Sequence, residues 1–248
     1  MVSLTGQVAL ITGAGSGIGA ALARAFSQAG ASLVLVGRRA ERLRQTAADC
    51  PAPALELAAD VTDPDDRAGL VARTIERHGR LDILCNNAGV GFYGDLAGVS
   101  ESDWRRLFEV NFFAAVFLTQ AFLPLMSAGR SGLIVNVASI GGLMAHSDKV
   151  TPYVASKHAL VGFSRGLAKD LAGTGVRVKV VCPHLTRTDF FGSSAGAEAM
   201  EPILEQYSAF MDSAEEVAQG VLSKLDEEGL ILFPTDKPAK AYARQRDV

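Results

Sequence analysis

The sequence predicts one α/β domain whose core is a doubly wound parallel sheet of about seven strands, with helices on both faces. Short apolar runs lack a period-2 alternation with polar residues, which is typical of strands buried on both faces. Stretches with helical patterning alternate with these runs along the chain. The chain has 248 residues, of which 48% are hydrophobic, so we expect residues 1–248 to form a single domain with one large core.

The apolar runs and turn residues set the order of the elements. The predicted strands are Val8–Ile11, Ser32–Val36, Leu55–Ala59, Asp82–Cys85, Gly132–Ala138, Val176–Val181 and Leu230–Phe233. The predicted helices are Ala20–Ala29, Pro64–Arg77, Ser102–Met126, a helix that contains Tyr153 and Lys157, and Ser213–Leu225. Residues 185–212 mix aromatic and small side chains, and we expect them to form a lid over a ligand.

Composition and charge argue against several classes of partner. A net charge of −3 gives no reason to expect nucleic acid or an anionic membrane. The apolar runs end before the ~20 residues that a membrane span needs, and the N-terminus shows no export signal. The cysteines are odd in number and far apart, which suits reduced thiols in a cytoplasmic protein; they are Cys50, Cys85 and Cys182. The histidines lack metal-ligand spacing, so we expect no metal site; they are His78, His146, His158 and His184.

A glycine-rich turn follows the first predicted strand directly and leads into a helix. Gly13, Gly17 and Gly19 are spaced as G-x-x-x-G-x-G. In this context glycines permit a tight turn and let backbone N–H groups approach a pyrophosphate at the helix N-terminus. No Lys-Ser/Thr pair follows, which argues against a P-loop. The segment therefore predicts a dinucleotide site, with a purely structural turn as the alternative.

Two arginines follow the second predicted strand. NAD-binding relatives of such a unit carry Asp or Glu near this point to bond the adenosine ribose, whereas this chain has Gly37, Arg38 and Arg39. A guanidinium group matches a 2′-phosphate by its charge and by its fork of donors. The pattern favours NADP over NAD, although the same arginines also suit the start of a charged helix.

Further polar residues stand at strand ends and inside the longest helix. Asp60 ends its strand, where it suits either an adenine amino group or a helix cap. The run Asn86–Gly89 lies at the edge where open parallel sheets bind ligands, or is a simple turn. Asn111 lies within the apolar helix Ser102–Met126, where it is either functional or a satisfied core residue. Because this helix is apolar on more than one face, we expect it to pack on the sheet and on a second subunit.

Ser139, Tyr153 and Lys157 suggest acid–base chemistry. If the segment is helical, Tyr153 and Lys157 lie on the same face, one turn apart. An ammonium group there favours the phenolate and lowers the tyrosine pKa from its ordinary value of ~10. Ser139, at the end of the fifth strand, then holds a substrate oxygen while Tyr153 gives or takes a proton. The pattern Y-x-x-x-K alone occurs often by chance in helices that have no such chemistry. The other motifs of this chain favour the functional interpretation.

Together these motifs resemble the short-chain dehydrogenase/reductase family over nearly the whole chain. The resemblance is carried by the residues Thr12, Gly13, Gly17, Ile18, Gly19, Asp60, Asn86, Asn87, Ala88, Gly89, Asn111, Ser139, Tyr153 and Lys157, in the family's order and spacing. It implies a Rossmann-type fold. It also implies an oxidoreductase that transfers a hydride between NADP(H), or alternatively NAD(H), and a carbonyl or alcohol substrate.

The resemblance implies a role for each matching residue. The implied catalytic residues are Asn111, Ser139, Tyr153 and Lys157. Tyr153 is the acid in reduction and the base in oxidation, Lys157 holds the nicotinamide ribose, Ser139 bonds the substrate carbonyl, and Asn111 holds a water in a proton relay. The implied cofactor-binding residues are Gly13, Ser16, Gly17, Ile18, Gly19, Arg38, Arg39, Asp60, Val61, Asn87, Ala88, Gly89, Tyr153, Lys157, Pro183, Thr186 and Thr188.

One position departs from the family pattern. His184 follows Pro183, where family members commonly have a glycine that lets the backbone lie close to the nicotinamide. A histidine either shifts this loop or presents its side chain to the substrate.

The sequence thus favours an NADPH-dependent carbonyl reductase. The alternatives are an NAD-linked alcohol dehydrogenase of the same family and a non-catalytic dinucleotide sensor, although such sensors usually lose the tyrosine or the lysine. Residues 141–152 and 185–212 are rich in apolar side chains, which favours a rather apolar ketone or aldehyde. The apolar helix and the habit of the family predict a homodimer or homotetramer.

Overall fold

A seven-stranded parallel sheet organises the protein. The computed structural model describes residues 2–129, 131–145 and 147–246. The strands are β1 (Val8–Thr12), β2 (Ser32–Gly37), β3 (Leu55–Ala58), β4 (Ile83–Asn86), β5 (Gly132–Val137), β6 (Val176–Val181), β7 (Thr186–Arg187), β8 (Asp212–Ser213) and β9 (Ile231–Leu232). The main sheet has the order β3-β2-β1-β4-β5-β6-β9, and every neighbouring pair is parallel. The predicted fold class and strand number are confirmed.

The strand order reverses beside β1, because the chain runs outward to β3 and then returns to place β4 on the other side of β1. The loops after β1 and β4 therefore diverge and leave a crevice at the carboxyl edge of the sheet, where open α/β sheets bind ligands.

The described residues form nine α-helices, with helices on both faces of the sheet. They are α1 (Gly17–Gln28), α2 (Ala40–Ala48), α3 (Pro64–His78), α4 (Glu101–Phe108), α5 (Ala114–Ala128), α6 (Thr151–Asp170), α7 (Glu201–Tyr207), α8 (Ala214–Ser223) and α9 (Asp236–Arg246). The side chains of neighbouring residues in β1 lie on opposite faces of the sheet. Ile11 packs in a cluster with residues of α1 and α8, whereas Leu10 packs with residues of α3 and α5.

The predicted helix Ser102–Met126 is not one regular α-helix. The chain passes from α4 into a π-helical turn, Glu109–Phe113, before α5 begins. Asn111 lies in this turn and is buried. A π-turn adds one residue to a helical turn and is frequent at functional sites. Hydrophobic spacing gave no sign of it, because the residues that follow in α5 are apolar on more than one face and so do not fix a register.

The start of α3 excludes one of the two interpretations of Asp60, that of a helix cap. Asp63 is the N-cap residue, and its carboxylate accepts hydrogen bonds from the backbone N–H groups of Asp65 and Asp66. Asp60 is therefore not the helix cap. Its carboxylate instead accepts two hydrogen bonds from Thr62, at 2.7 and 3.0 Å.

Buried side-chain hydrogen bonds tie α5 and α6 to the centre of the sheet. The Asn86 amide donates to Asn136 Oδ1 at 2.9 Å and to Thr119 Oγ1 at 3.2 Å. The Asn136 amide donates in turn to Ser164 Oγ at 2.8 Å. These bonds join β4, β5, α5 and α6, so the helix that carries Tyr153 is fixed relative to the strands that end beneath it.

The stretch Glu101–Ala128 is long and apolar enough to cross a membrane by length and composition alone. A core helix meets the same criteria, and 39% of its most apolar window is buried in this structure. Its buried residues Leu118, Phe122 and Met126 pack in the core against the sheet.

Three cysteines are free thiols, of which Cys85 and Cys182 are buried. No group of three His, Cys, Asp or Glu side chains in the described ranges is arranged to hold a metal ion. His146 lies outside those ranges.

Candidate active site

A cleft of about 670 Å³ opens at the carboxyl edge of the sheet, above the reversal of strand order. Seventeen predicted site residues lie on its wall: Gly13, Ser16, Gly17, Ile18, Arg38, Arg39, Asp60, Val61, Asn87, Ala88, Gly89, Ser139, Tyr153, Lys157, Pro183, Thr186 and Thr188. Gly19 and Asn111 lie behind the wall, in positions that support it.

The glycine-rich turn after β1 is tightly packed. Gly13 and Gly17 have φ values of +66° and +53°, which L side chains rarely adopt. A Cβ on Gly19 would lie 2.3 Å from the carbonyl oxygen of Gly13 and 2.5 Å from the Asn87 amide nitrogen. Gly19 is therefore required for packing beneath the loop, while Gly13 and Gly17 shape its surface.

Thr12 connects this loop to the loop after β4. Its hydroxyl accepts hydrogen bonds from the backbone N–H groups of Asn87 and Ala88, both at 3.0 Å, and donates to the carbonyl of Cys85 at 3.3 Å. The Asn87 side chain returns a bond to the carbonyl of Thr12 at 2.9 Å. The two edges of the crevice are thus held at a fixed separation.

Asn111 anchors the loop after β4 to the helix of the catalytic candidates. Its amide nitrogen donates to the Val90 carbonyl at 2.9 Å and to Ser156 Oγ at 3.0 Å, and its oxygen accepts from the Val90 N–H at 2.8 Å. Ser156 donates its own proton to the Tyr153 carbonyl at 2.7 Å. Both N–H donors of the Asn111 amide are used in these contacts, and its oxygen accepts one bond with a second lone pair left over, so its observed role is to position Gly89 and α6.

Tyr153 and Lys157 lie one turn apart at the start of α6. The Lys157 ammonium is 5.9 Å from the Tyr153 ring centroid and donates to the carbonyl of Val137, the last residue of β5, at 3.0 Å. A Cβ on Gly89 would lie 3.4 Å from this nitrogen. The loop after β4, the end of β5 and α6 therefore meet around the Lys157 ammonium group.

Burial sets the proton affinities of both groups. Tyr153 is half-buried and lies on the cleft wall, and its burial raises its pKa to about 12 although a hydrogen bond with Ser139 acts in the opposite direction. Burial lowers the Lys157 pKa to about 8. The expectation that Lys157 lowers the pKa of Tyr153 is not met in this structure. At neutral pH the phenol is protonated and can act as an acid.

Ser139 faces the phenol from the end of β5. It precedes a short 3₁₀ turn, Ile140–Gly142, and its hydroxyl oxygen accepts a hydrogen bond from the N–H of Gly141 at 3.0 Å. This bond occupies one lone pair of the Ser139 oxygen. The hydroxyl proton takes no part in it and can be donated to another group. Ser139 and Tyr153 can therefore both reach a single oxygen atom in the cleft.

Positive charge collects at the opposite end of the cleft. Four arginines lie on its wall there: Arg38, Arg39, Arg42 and Arg106. None of them forms an ion pair with a residue in the described part of the chain. Burial acts to raise the pKa of the neighbouring Asp60, but the Thr62 hydrogen bonds and the charges of Arg38 and Arg106 lower it overall. This end suits an anionic group.

The loop after β6 places His184 on the cleft wall. The carbonyl of Pro183 accepts a hydrogen bond from the N–H of Ile140 at 2.8 Å, and the carbonyl of His184 accepts one from the Thr186 hydroxyl at 3.0 Å. The loop is therefore fixed to the loop after β5. Thr188 packs against Gly17, where a Cβ would lie 3.1 Å from its methyl group.

Residues 185–212, the predicted lid, contribute several side chains to the wall of the cleft. Both ends of the segment are joined, because β7 pairs in parallel with β8 in a separate two-stranded sheet. Apolar members of the segment on the cleft wall are Phe190, Phe191, Met200, Ile203 and Tyr207. Strands of two residues carry no periodic signal, and this pairing was absent from the sequence prediction.

Comparison with known proteins assigns the family. The family profile described as short chain dehydrogenase matches residues 7–199, which is more than half of the chain. The chain belongs to the short-chain dehydrogenase/reductase family. Members use nicotinamide dinucleotides, and the cleft fits such a group: its glycine cradle has no space for a Cβ at Gly19, and the arginines at one end form no ion pair within the described part of the chain.

Relatives of this short-chain dehydrogenase/reductase agree in sequence and fold. Oxidoreductase UcpA from Escherichia coli (strain K12) is 38% identical over 197 residues, covering 79% of this chain and 75% of UcpA. A short-chain dehydrogenase from Streptomyces avermitilis has a TM-score of 0.86 and 33% identity, covering 97% of this chain and 92% of that one. Levodione reductase has a TM-score of 0.84 and 28% identity, covering 95% and 98% of the respective chains.

Several residues of the site were not predicted. They are Thr12, Gly15, Arg42, Tyr93, Arg106 and Ser156. Arg42 lies one helical turn after Arg38 and Arg39, the two arginines that were predicted. Residues one turn apart share a helix face, so this spacing was sufficient to predict Arg42 as well. Tyr93 and Arg106 reach the cleft from loops and helices distant in sequence, and no local pattern indicates them.

The packing of Gly19 gives a direct test. We expect Gly19→Ala to lower the free energy of unfolding by about 1–3 kcal/mol, as overpacking does, because the new methyl group meets the Gly13 carbonyl. Gly162→Ala is the matched control: Gly162 lies in α6 with no atom near its missing Cβ, and alanine is the better helix former. Urea denaturation measures both. Equal stability of Gly19→Ala and the wild type would contradict the packing assigned to this loop.

Proposed function

We propose that this enzyme transfers a hydride between NADP(H) and a carbonyl or secondary alcohol, and that its substrate is a rather apolar ketone or aldehyde. The observation that carries the proposal is the placement of Ser139, Tyr153 and Lys157 on one wall of a cleft. That cleft runs from a glycine-rich loop and an arginine cluster to an apolar segment.

The proposed chemistry divides the work between the cofactor and the protein. When bound, the nicotinamide supplies the hydride for the carbonyl carbon. Tyr153 donates its proton to the carbonyl oxygen, and the Ser139 hydroxyl donates a hydrogen bond to the same oxygen as negative charge develops on it. Carbon thereby gains a hydride, oxygen gains a proton, and an alcohol results.

Lys157 restores the proton that Tyr153 loses. Its pKa of about 8 lies close to neutral pH, so it can release and recover a proton during turnover. It also favours the phenolate as that charge forms, and it binds the ribose of the nicotinamide half. Asn111 supports this group by holding Gly89 beside the ammonium; the water relay predicted for Asn111 stays a prediction.

The preference for NADP rests on the arginine end of the cleft. Arg38 and Arg39 stand where a ribose-binding carboxylate would favour NAD, and among the described residues neither forms an ion pair, although the charge of Arg38 acts on Asp60. A 2′-phosphate would supply the missing charge through charge-assisted hydrogen bonds.

The apolar preference rests on the walls around Tyr153. Val150, Val154, Phe190 and Phe191 lie on the cleft near it, and all offer apolar surface. The structural similarity to levodione reductase supports a reductive role.

We further propose a homodimer or homotetramer located in the cytoplasm. Phe113 and Phe117 are 36% and 38% exposed, and their rings stack at a centroid distance of 5.8 Å. Arg67 lies over the Phe117 ring at 5.0 Å. An exposed aromatic pair on the apolar stretch Glu101–Ala128 supports burial against a second copy of the chain, and the free thiols support a reducing compartment.

Replacement of the phenol tests the reaction. With the best carbonyl compound from a ketone and aldehyde screen, we expect Tyr153→Phe to lower kcat by about 10²–10⁴-fold, the usual contribution of a general acid. NADPH binding, followed by fluorescence, should change less than turnover. Tyr207→Phe is the control, because Tyr207 also lines the cleft but lies outside the Ser139 and Lys157 group. Undiminished turnover by Tyr153→Phe would refute the assignment.

Charge reversal tests the cofactor preference. We expect Arg38→Asp to weaken NADPH binding by about 10- to 100-fold, the effect of losing charged hydrogen bonds, and to leave NADH binding nearly unchanged. Arg44→Asp makes the same charge change on α2, where Arg44 pairs with Glu41 away from the cleft, and should have little effect. Parallel fluorescence titrations with both nucleotides measure this. Equal weakening for both nucleotides, or a wild type that prefers NADH, would move the assignment to NAD.

A further inference from the structure

Four aromatic side chains form a closed circuit at the substrate end of the cleft. The ring centroids of Tyr93 and Tyr153 lie 5.9 Å apart, as do those of Tyr153 and Phe190. Phe190 and Phe191 are 5.6 Å apart, and Phe191 and Tyr93 complete the circuit at 6.1 Å. These distances are within the range of favourable aromatic pairs. The ring of Tyr153 therefore has two aromatic neighbours, Tyr93 and Phe190.

Tyr93 is the member of the circuit that comes from the loop after β4. It is 3% exposed, and its hydroxyl is hydrogen-bonded to Ser194. Ser194 donates its own proton to the Phe190 carbonyl at 2.6 Å and accepts from the Gly91 N–H at 3.2 Å. Because that proton is already in use, Tyr93 must be the donor in its bond to Ser194.

The backbone around Tyr93 is fastened to the same segment. The N–H of Tyr93 donates to the carbonyl of Ala195 at 2.9 Å, and Phe92 forms a parallel bridge with Ala195. Gly196 has a φ of +70°, and a Cβ there would lie 1.7 Å from the Tyr93 carbonyl oxygen. Residues 190–196, which we call the clasp, are thus bound to the loop after β4 through backbone and side chain.

From this arrangement we propose that Tyr93 is a positioning residue for Tyr153. Its ring fixes the orientation of the Tyr153 phenol toward Ser139, and its hydroxyl fixes the clasp that brings Phe190 against the same phenol. The inference rests on the proposed acid–base role of Tyr153. It assigns Tyr93 no contact with substrate or cofactor, and it makes the loop after β4 a second support for the phenol besides α6.

Removal of the Tyr93 ring tests the first half of the proposal. The protein is labelled with [¹³Cζ]tyrosine, whose signal reports phenol ionisation, and the Tyr153 signal is assigned by its loss in Tyr153→Phe. We expect the wild-type Tyr153 to stay protonated at pH 11, in line with its pKa of about 12. In Tyr93→Leu the phenol gains contact with water, and we expect its titration midpoint to fall by at least one pH unit.

Phe191→Leu is the matched control for this test. It removes a ring of the same circuit that, among the described residues, makes no ring contact with Tyr153, and Tyr153 should remain protonated at pH 11. Circular dichroism at pH 11 establishes that each variant is folded. A folded Tyr93→Leu with the wild-type midpoint, or an equal shift in Phe191→Leu, would overturn the proposal.

Tyr93→Phe tests the second half and retains the ring, so it is also the variant to use if Tyr93→Leu does not fold. Loss of the bond to Ser194 should speed hydrogen exchange at the backbone amides of residues 91 and 93 by about fivefold, the effect of one neutral hydrogen bond. The amide of Ile11 in β1 is the reference and should exchange at an unchanged rate. Unchanged exchange at both amides would refute the link to the clasp.

Neither measurement needs turnover. A negative result therefore leaves the proposed reductase function intact, whereas undiminished activity of Tyr153→Phe would remove that function without affecting the ring packing.

Discussion

The buried ammonium group of Lys157 is the constraint on which the rest of the site depends. It is 4% exposed and bonded to the carbonyl at the end of β5. A buried cation is costly unless polar atoms surround it, so α6, which carries Lys157, must begin close to the end of β5 and to the loop after β4. Gly89 lies beside the nitrogen, since a Cβ there would be 3.4 Å from it, and Asn111 holds the neighbouring Val90 in place.

The same packing explains the proton affinities. Groups that exclude water from Lys157 also exclude it from Tyr153, and burial disfavours the charged form of each. The phenol of Tyr153 is thus kept protonated, and the pKa of the Lys157 amine is brought close to neutral pH. An acid that is neutral at rest, beside an amine able to return its proton, suits reduction of a carbonyl. The arginines lie at the far end of the cleft, apart from this pair, and in the proposed function they bind the cofactor.

Much of this structure could be predicted from local patterns. The run Val8–Ile11 followed by glycines was sufficient to predict β1, its turn and α1. A strand buried on both faces is an uninterrupted apolar run, and positive φ values in a turn require glycine, so both features can be recognised in the sequence. The π-turn at Asn111 leaves none, since one extra residue in an apolar helix does not change its composition. The pKa of Tyr153 was predicted in the wrong direction, because spacing to Lys157 was known and burial was not. Tyr93 was missed because its partners lie far away in the chain.

The most direct test is a titration of Lys157 itself. Proteins labelled with [¹³Cε]lysine give one signal per lysine, and the signal of Lys157 is identified by its absence in Lys157→Met. We predict a midpoint near pH 8, as burial requires. A midpoint near the ordinary lysine value of about 10.4 would mean that water reaches this nitrogen, and it would contradict the account of the site given above.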